Sequence, residues 1–150
     1  MIQTLAVASR QRSQMIEITS EVQAALGKSG VQEGLAVVYC PHTTAGLTIN
    51  EDADPTVRVD ILGMLDRLVP WQAGYAHAEG NSAAHIKSSL MGSSVMVPVE
   101  KGHLVLGTWQ GIFFCEFDGP RSRRVMVQIV PAGPGAAGSK VDVPLTIDVV

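Results

Sequence analysis

Ser94-Val-Met-Val-Pro-Val99, His103-Leu-Val-Leu106, Ile112-Phe-Phe-Cys-Glu-Phe117 and Arg124-Val-Met-Val-Gln-Ile-Val130 follow one another closely, and their reading decides the fold. Each run is short and rich in β-branched or aromatic residues, which is the pattern of strands. Lys101-Gly102 between the first two runs reads as a hairpin tip. Upstream, Gln3 to Ala8 and Met15 to Thr19 alternate enough to be strands, with Arg10 to Ser13 as the turn between them. Leu35 to Cys40 is a continuous apolar run and reads as a strand buried on both faces, and Leu47 to Asn50 as a short one.

Helices interrupt this series three times. Ser20 is a candidate cap for a helix whose Val22, Ala25 and Leu26 share a face and which ends near Gly27 to Gly30. Asp54-Pro55 starts a second, with Val57, Ile61, Met64, Leu65 and Leu68 at helical spacing and Pro70 as its stop. Asn81 or Ser82 caps a third, running from about Ala83 to Met91 before Gly92. Strands, helices, then strands again specify an α+β domain of mainly antiparallel sheet, a sandwich with two to three helices. It occupies residues 1–130. Residues 131–150 change composition: Pro131 to Lys140 is a Pro/Gly/Ala linker, and Val141 to Val150 is strand-like, expected to return as an edge strand or to pack on a neighbouring subunit.

Composition bounds the partners. Hydrophobic residues make up 46% and charged residues 17% of the chain, enough apolar content for one sizeable core. A net charge of -3 gives no reason to expect nucleic acid. No apolar run approaches the roughly 20 residues that span a bilayer. Cys40 and Cys115 lie in apolar runs without close spacing, so they read as reduced core residues of a cytoplasmic protein.

The chemistry-bearing residues concentrate at loop and helix junctions. Tyr75-Ala-His77-Ala-Glu79-Gly-Asn81-Ser-Ala-Ala-His85-Ile-Lys87 holds two imidazoles, a carboxylate and an ammonium, and Pro41-His42-Thr-Thr-Ala-Gly46 supplies a third imidazole. His42, His77 and His85 would make an open metal site, three neutral imidazoles leaving a position for water or substrate. The spacing of His77 and His85 is not that of a helical zinc motif, so the alternative is that these residues only tie loops together. Glu51 or Glu79 would serve as base or orient a ligand imidazole, Glu116 adds a further carboxylate, and Lys87 and Arg121 would hold a phosphate in the same cavity. Asn50, Asn81, Trp109 and Gln110 are candidate substrate contacts. His103, beside Lys101, reads as a surface residue.

The runs from Pro41 to Thr48, Asn50 to Pro55, Glu79 to Asn81, Ala84 to Lys87, Leu106 to Gly111 and Glu116 to Arg121 resemble, jointly and in order, the YjbQ family. Members of that family are described as secondary thiamine-phosphate synthases. The resemblance covers roughly Gln3 to Val130. It implies an α+β fold, a homotrimer, metal-containing pockets near subunit boundaries, and an activity joining hydroxymethylpyrimidine diphosphate to thiazole phosphate with release of pyrophosphate. A divalent metal is expected, zinc first, or magnesium with the diphosphate substrate. Two other readings stand beside it: a metal-dependent hydrolase, and a metal- or metabolite-binding trimer without turnover.

Overall fold

The computed structural model describes residues 1–133, so the tail expected to form a strand lies outside the described residues. The elements are β1 (Ile2–Ala8), β2 (Gln14–Glu17), α1 (Thr19–Ser29), β3 (Gly34–Tyr39), β4 (Ala45–Glu51), α2 (Pro55–Leu68), α3 (Ser82–Met91), β5 (Ser94–Glu100), β6 (His103–Leu104), β7 (Gln110–Glu116) and β8 (Ser122–Pro131). They make the expected α+β fold of two antiparallel sheets. One has the order β1-β8-β3-β5-β6 and the other β2-β7-β4. The β5–β6 hairpin turns through Lys101 at φ 51° and Gly102 at φ 76°, two left-handed residues as a tight hairpin requires.

The core lies between the sheets. Ala36 and Val38 of β3, Val97 of β5 and Val125 and Val127 of β8 meet Leu47 of β4 and Ile112 and Phe114 of β7. Helix α1 adds Val22, Ala25 and Leu26, the shared face read from their spacing. The outer face of the smaller sheet carries Met15, Phe113 and Cys115, and with Phe117 beyond β7 these are covered by Ala84 of α3 and, less completely, by Ile61, Leu62 and Leu65 of α2. Strand β7 is therefore the strand buried on both faces. Tyr39 of β3 is 45% exposed, and Leu35 and Val37 are half-buried, which corrects the reading of that strand. Among the described residues no helix covers the outer face of the larger sheet, so there β3 buries only its inner side.

Two further expectations change. The strands β1 and β2 do not pair with each other: β1 pairs β8 and β2 pairs β7. The strand ends at Glu17 because Thr19 already begins α1, so Ser20 sits inside the helix, its hydroxyl turned to Glu21 Oε2 at 3.0 Å, rather than capping it. Helix α2 starts as expected, Asp54 accepting from the Thr56 amide at 2.9 Å with Pro55 behind it. Helix α3 is held more firmly. It buries Ala83, Ala84, Lys87 and Ser88, and the Ser88 hydroxyl donates to Ala45 O of β4 at 2.6 Å. A Cβ on Gly46 would come within 2.7 Å of Gly92 O, so the absent side chain lets the end of α3 seat on β4. Among the described residues no helix is long and apolar enough to cross a membrane.

Candidate functional site

Three loops and one helix meet at one end of the smaller sheet. The 41–44 loop after β3 brings His42, the start of α3 brings Asn81 and His85, the segment before it brings Glu79, and the β7–β8 connection brings Asp118 and Arg121. Together with Arg123 of β8 they line a polar cavity of about 310 Å³. His42 and His85 also share an adjoining cleft with Ser88 and Ser89. On its other side His85 borders a third cleft, of about 470 Å³, with Tyr75, Ala76 and His77. The His77 and His85 rings stand edge to face with centroids 5.6 Å apart. His85 is thus common to all three spaces, with His42 to one side and His77 to the other. Among the described residues no group of three His, Cys, Asp or Glu side chains forms a ready metal cluster.

Each polar wall has an identifiable support. The Glu116 carboxylate is fully buried and accepts from Arg123 Nε at 2.8 Å and Nη2 at 2.6 Å. It also accepts from Ser9 Oγ at 2.9 Å and from the Phe117 and Asp118 amides at 3.1 and 2.9 Å. Burial pushes its pKa up, but the bonds from Arg123, Asp118 and Ser9 outweigh that and hold it below the usual carboxylate range. Arg123 Nη2 also reaches Thr44 Oγ1 at 2.8 Å, fastening the histidine loop to β8. Arg121 grips Asp118 through Nε to the carbonyl at 2.8 Å and Nη2 to Oδ2 at 2.9 Å. That same Oδ2 accepts from Asn81 Nδ2 at 3.0 Å. Nη1 of each arginine keeps its donors without a partner among the described residues.

The imidazoles differ in their freedom. His42 Nε2 lies 3.1 Å from both the amide and the carbonyl of Arg124, just beyond the last β3–β8 pair, so the ring plugs the end of that ladder. If it donates to the carbonyl, Nδ1 is left with a lone pair, the arrangement of a metal-ligating or basic histidine. Burial first, and the charge of Arg123 next, hold the His42 pKa below the ordinary histidine value, so the ring is neutral at pH 7. His77 is 42% exposed and its Nε2 is 3.7 Å from Glu79, itself 76% exposed.

Other expected site residues fall elsewhere. Lys87 does not face the histidine cavity: its side chain is 2% exposed and its ammonium meets Asp66 of α2. Residues two apart on a helix point to opposite sides, so His85 and Lys87 cannot share a face. Its partner is Asp66 rather than a glutamate of the junction. Glu116 is consumed by its five donors. Asn50, Glu51, Trp109 and Gln110 lie at the far end of the smaller sheet, where Glu51 pairs Gln110 and Asn50 pairs Gly111. Seven residues of strand, about 20 Å, separate them from His42. There Glu51 Oε1 accepts from the Ala53 and Asp54 amides at 3.1 and 3.2 Å, shaping the entry to α2. Trp109 is not an anchor but stands 63% exposed on a turn closed by Gln110 N to Gly107 O at 2.9 Å. Arg123, which with Arg121 and Arg124 forms an arginine cluster able to bind phosphate, does reach the cavity, and Asp118 and Thr44 join it there unannounced by the sequence. The Thr-Thr and Arg-x-Arg-Arg patterns were visible, but only the fold joins them.

Residues 3–132 match the family described as UPF0047 protein YjbQ-like. The UPF0047 protein YugU of Bacillus subtilis is 53% identical over 131 residues, covering 87% of this chain and 99% of that protein. A UPF0047 protein of Methanocaldococcus jannaschii is 50% identical over 83% of this chain and 90% of its own length. Among solved structures, a YjbQ/UPF0047 protein of Clostridium acetobutylicum superposes with a TM-score of 0.84 at 55% identity, over 85% of this chain and 99% of that one. A YbjQ-like protein of Sulfolobus solfataricus reaches the same TM-score at 30% identity, over 88% and 97%. These names state a family and no reaction.

Proposed function

This chain belongs to the UPF0047 protein YjbQ-like family, and on that premise we propose that it is a metal-dependent enzyme of a phosphorylated small molecule, with thiamine-phosphate formation as the reaction to test first. The observation that carries the reading is the polar cavity in which His42 and His85 face Arg121, Arg123, Asn81 and Glu79. The donor chemistry fits a divalent cation, zinc first: two imidazoles, a nearby carboxylate, and Asn81 Oδ1, a buried acceptor without a partner among the described residues. His42 and His85 would hold the metal, with His77 joining from the adjoining cleft. A bound metal would polarise a phosphoryl oxygen or a bound water. The free Nη1 donors of Arg121 and Arg123 bind phosphate oxygens, and Glu79, the exposed carboxylate at the rim, takes up or returns a proton.

The same proposal includes self-association, as a homotrimer. The uncovered face of the larger sheet presents Tyr39, Met96 and Val130, at 45%, 63% and 42% exposure, an apolar surface of the kind buried in an assembly. Asn50, Trp109 and Gln110 would contact substrate only where a second copy carries them to the histidine cavity of the first. Buried, reduced Cys40 and Cys115 accord with a cytoplasmic setting.

A second reading, binding without turnover, is favoured by one finding: Glu116 and Lys87, two of the four expected acid–base groups, are committed to internal ion pairs. The deciding experiment measures zinc by elemental analysis and pyrophosphate release in the parent and in His85→Ala. Loss of both supports the enzyme; loss of zinc with no turnover in the parent supports the binding protein; undiminished zinc sinks the metal assignment.

A further inference from the structure

Lys87 is among the largest fully buried side chains of the described residues, and an ammonium taken out of water needs a partner. Its partner, Asp66, is on α2 and 61% exposed, so the charge reaches from beneath one helix to the outside of the next. The two helices are held very unequally. Helix α3 is docked by Ala83, Ala84 and Ser88 and by the close approach at Gly46. Helix α2 has no buried residue: Ile61, Leu62 and Leu65 rest, half-buried, on the outer cluster, and Arg58 lies over the Phe113 ring at 5.1 Å and donates to Asp52 O at 3.4 Å. These contacts hold α2 to the smaller sheet, whereas the pair with Lys87 is what ties it to α3.

What α2 carries gives that placement a consequence. Its C-terminal end leads directly into the segment bearing Tyr75, Ala76 and His77. The Tyr75 hydroxyl closes on Pro70 O at 2.7 Å, so this segment turns with the helix end. Arg12 stands over the Trp71 ring, 4.4 Å from its centroid, a further hold just beyond the helix end. Opposite, on the fixed helix, stand Ser82, His85 and Ile86. The width of the cleft between the two walls depends on how α2 sits against α3.

We propose that Lys87 and Asp66 are positioning residues: their ion pair pins α2 to α3 and so sets His77 edge to face with His85. The inference holds whether or not a metal or a substrate enters the cavity.

Removing one partner would strand a buried charge and unsettle the whole fold, so the test removes both, in Lys87→Met/Asp66→Ala. Hydrogen exchange of the parent and the double variant is compared segment by segment, and the nuclear Overhauser contact between the His77 and His85 rings is measured in both. The expected result is at least tenfold faster exchange over residues 55–81, unchanged exchange in β7 and β8, and loss of the ring contact. Asp66→Glu, which keeps the pair, should retain parent behaviour. Parent-like exchange over 55–81 with the ring contact preserved would overturn the proposal. So would equal acceleration in every element, which would make the pair an ordinary contributor to stability. Because neither readout involves metal or turnover, failure here is separate from failure of the proposed activity.

Discussion

Replacing Glu116 by Gln changes little in shape and removes one charge, and the structure gives the consequence. Five donors converge on this carboxylate. Where Oε1 now accepts from two backbone amides and Arg123 Nη2, the Gln oxygen can replace it. At the Oε2 position the new NH2 meets Arg123 Nε–H, donor against donor, and Ser9 must turn its hydroxyl. Arg123, with a side chain 7% exposed, is left without its counter-charge. Stranding a buried charge costs about 3–5 kcal/mol. For a domain of the 133 described residues each kcal/mol moves the midpoint by about 3–5 °C, so Glu116→Gln should melt on the order of 10–20 °C below the parent. Ser9→Ala, which deletes a single bond to the charged group, should cost less, about 1.5–3 kcal/mol. Circular dichroism during thermal and urea unfolding measures both. The sign with pH follows from the depressed pKa of Glu116: its contribution is complete above the unfolded carboxylate value and is lost as pH falls through the lower folded one. If Glu116→Gln unfolds within about 0.5 kcal/mol of the parent, as surface substitutions do, the anchoring role is wrong and a catalytic one returns.

His85→Ala should lose bound zinc in elemental analysis while unfolding close to the parent, since the ring is only half-buried. Light scattering at micromolar concentration should report about three times the 15.9 kDa chain mass, and Met96→Lys on the exposed sheet face should reduce it to one. Gly46→Ala should destabilise by about 1–3 kcal/mol, because the new methyl meets the backbone of Gly92, which cannot move without lifting α3. In NMR titration His42 should protonate below the ordinary histidine range. Its share of stability should decline as pH drops from the unfolded value towards the folded one, because the unfolded ring binds the proton first.

Local rules carried the sequence reading far, and they failed where partners are distant. The caps at Asp54 and Gly92, the turn at Lys101-Gly102 and the apolar face of α1 are written within a few residues each. Whether β1 joins β2 or a strand over a hundred positions later is not local information, and the short turn at Arg10 to Ser13 suggested the nearer partner. Continuous apolarity in β3 implies burial on both sides, whereas one of its apolar faces is left uncovered by the described residues. The histidine cavity was legible as residue types, because His42, His85, Asn81 and Arg121 do come together. Lys87 was misplaced because proximity to His85 in sequence hides a half-turn in direction. Glu51, Trp109 and Gln110 were pooled with the histidines although a full strand length separates them.

The pairing of β1 with β8 has a meaning for synthesis. The first strand finds its partner only when residues 122–131 have been made. Until then β3 lacks its second neighbour, and β2 and β4 likewise wait for β7, so a nascent chain on the ribosome carries several open strand edges through most of its translation. Such non-local closure slows folding relative to helical domains of similar size. A ribosome-stalled chain ending before Ser122 should therefore be protease-sensitive and prone to capture by chaperones, and release of β8 should convert it to the resistant form in one step.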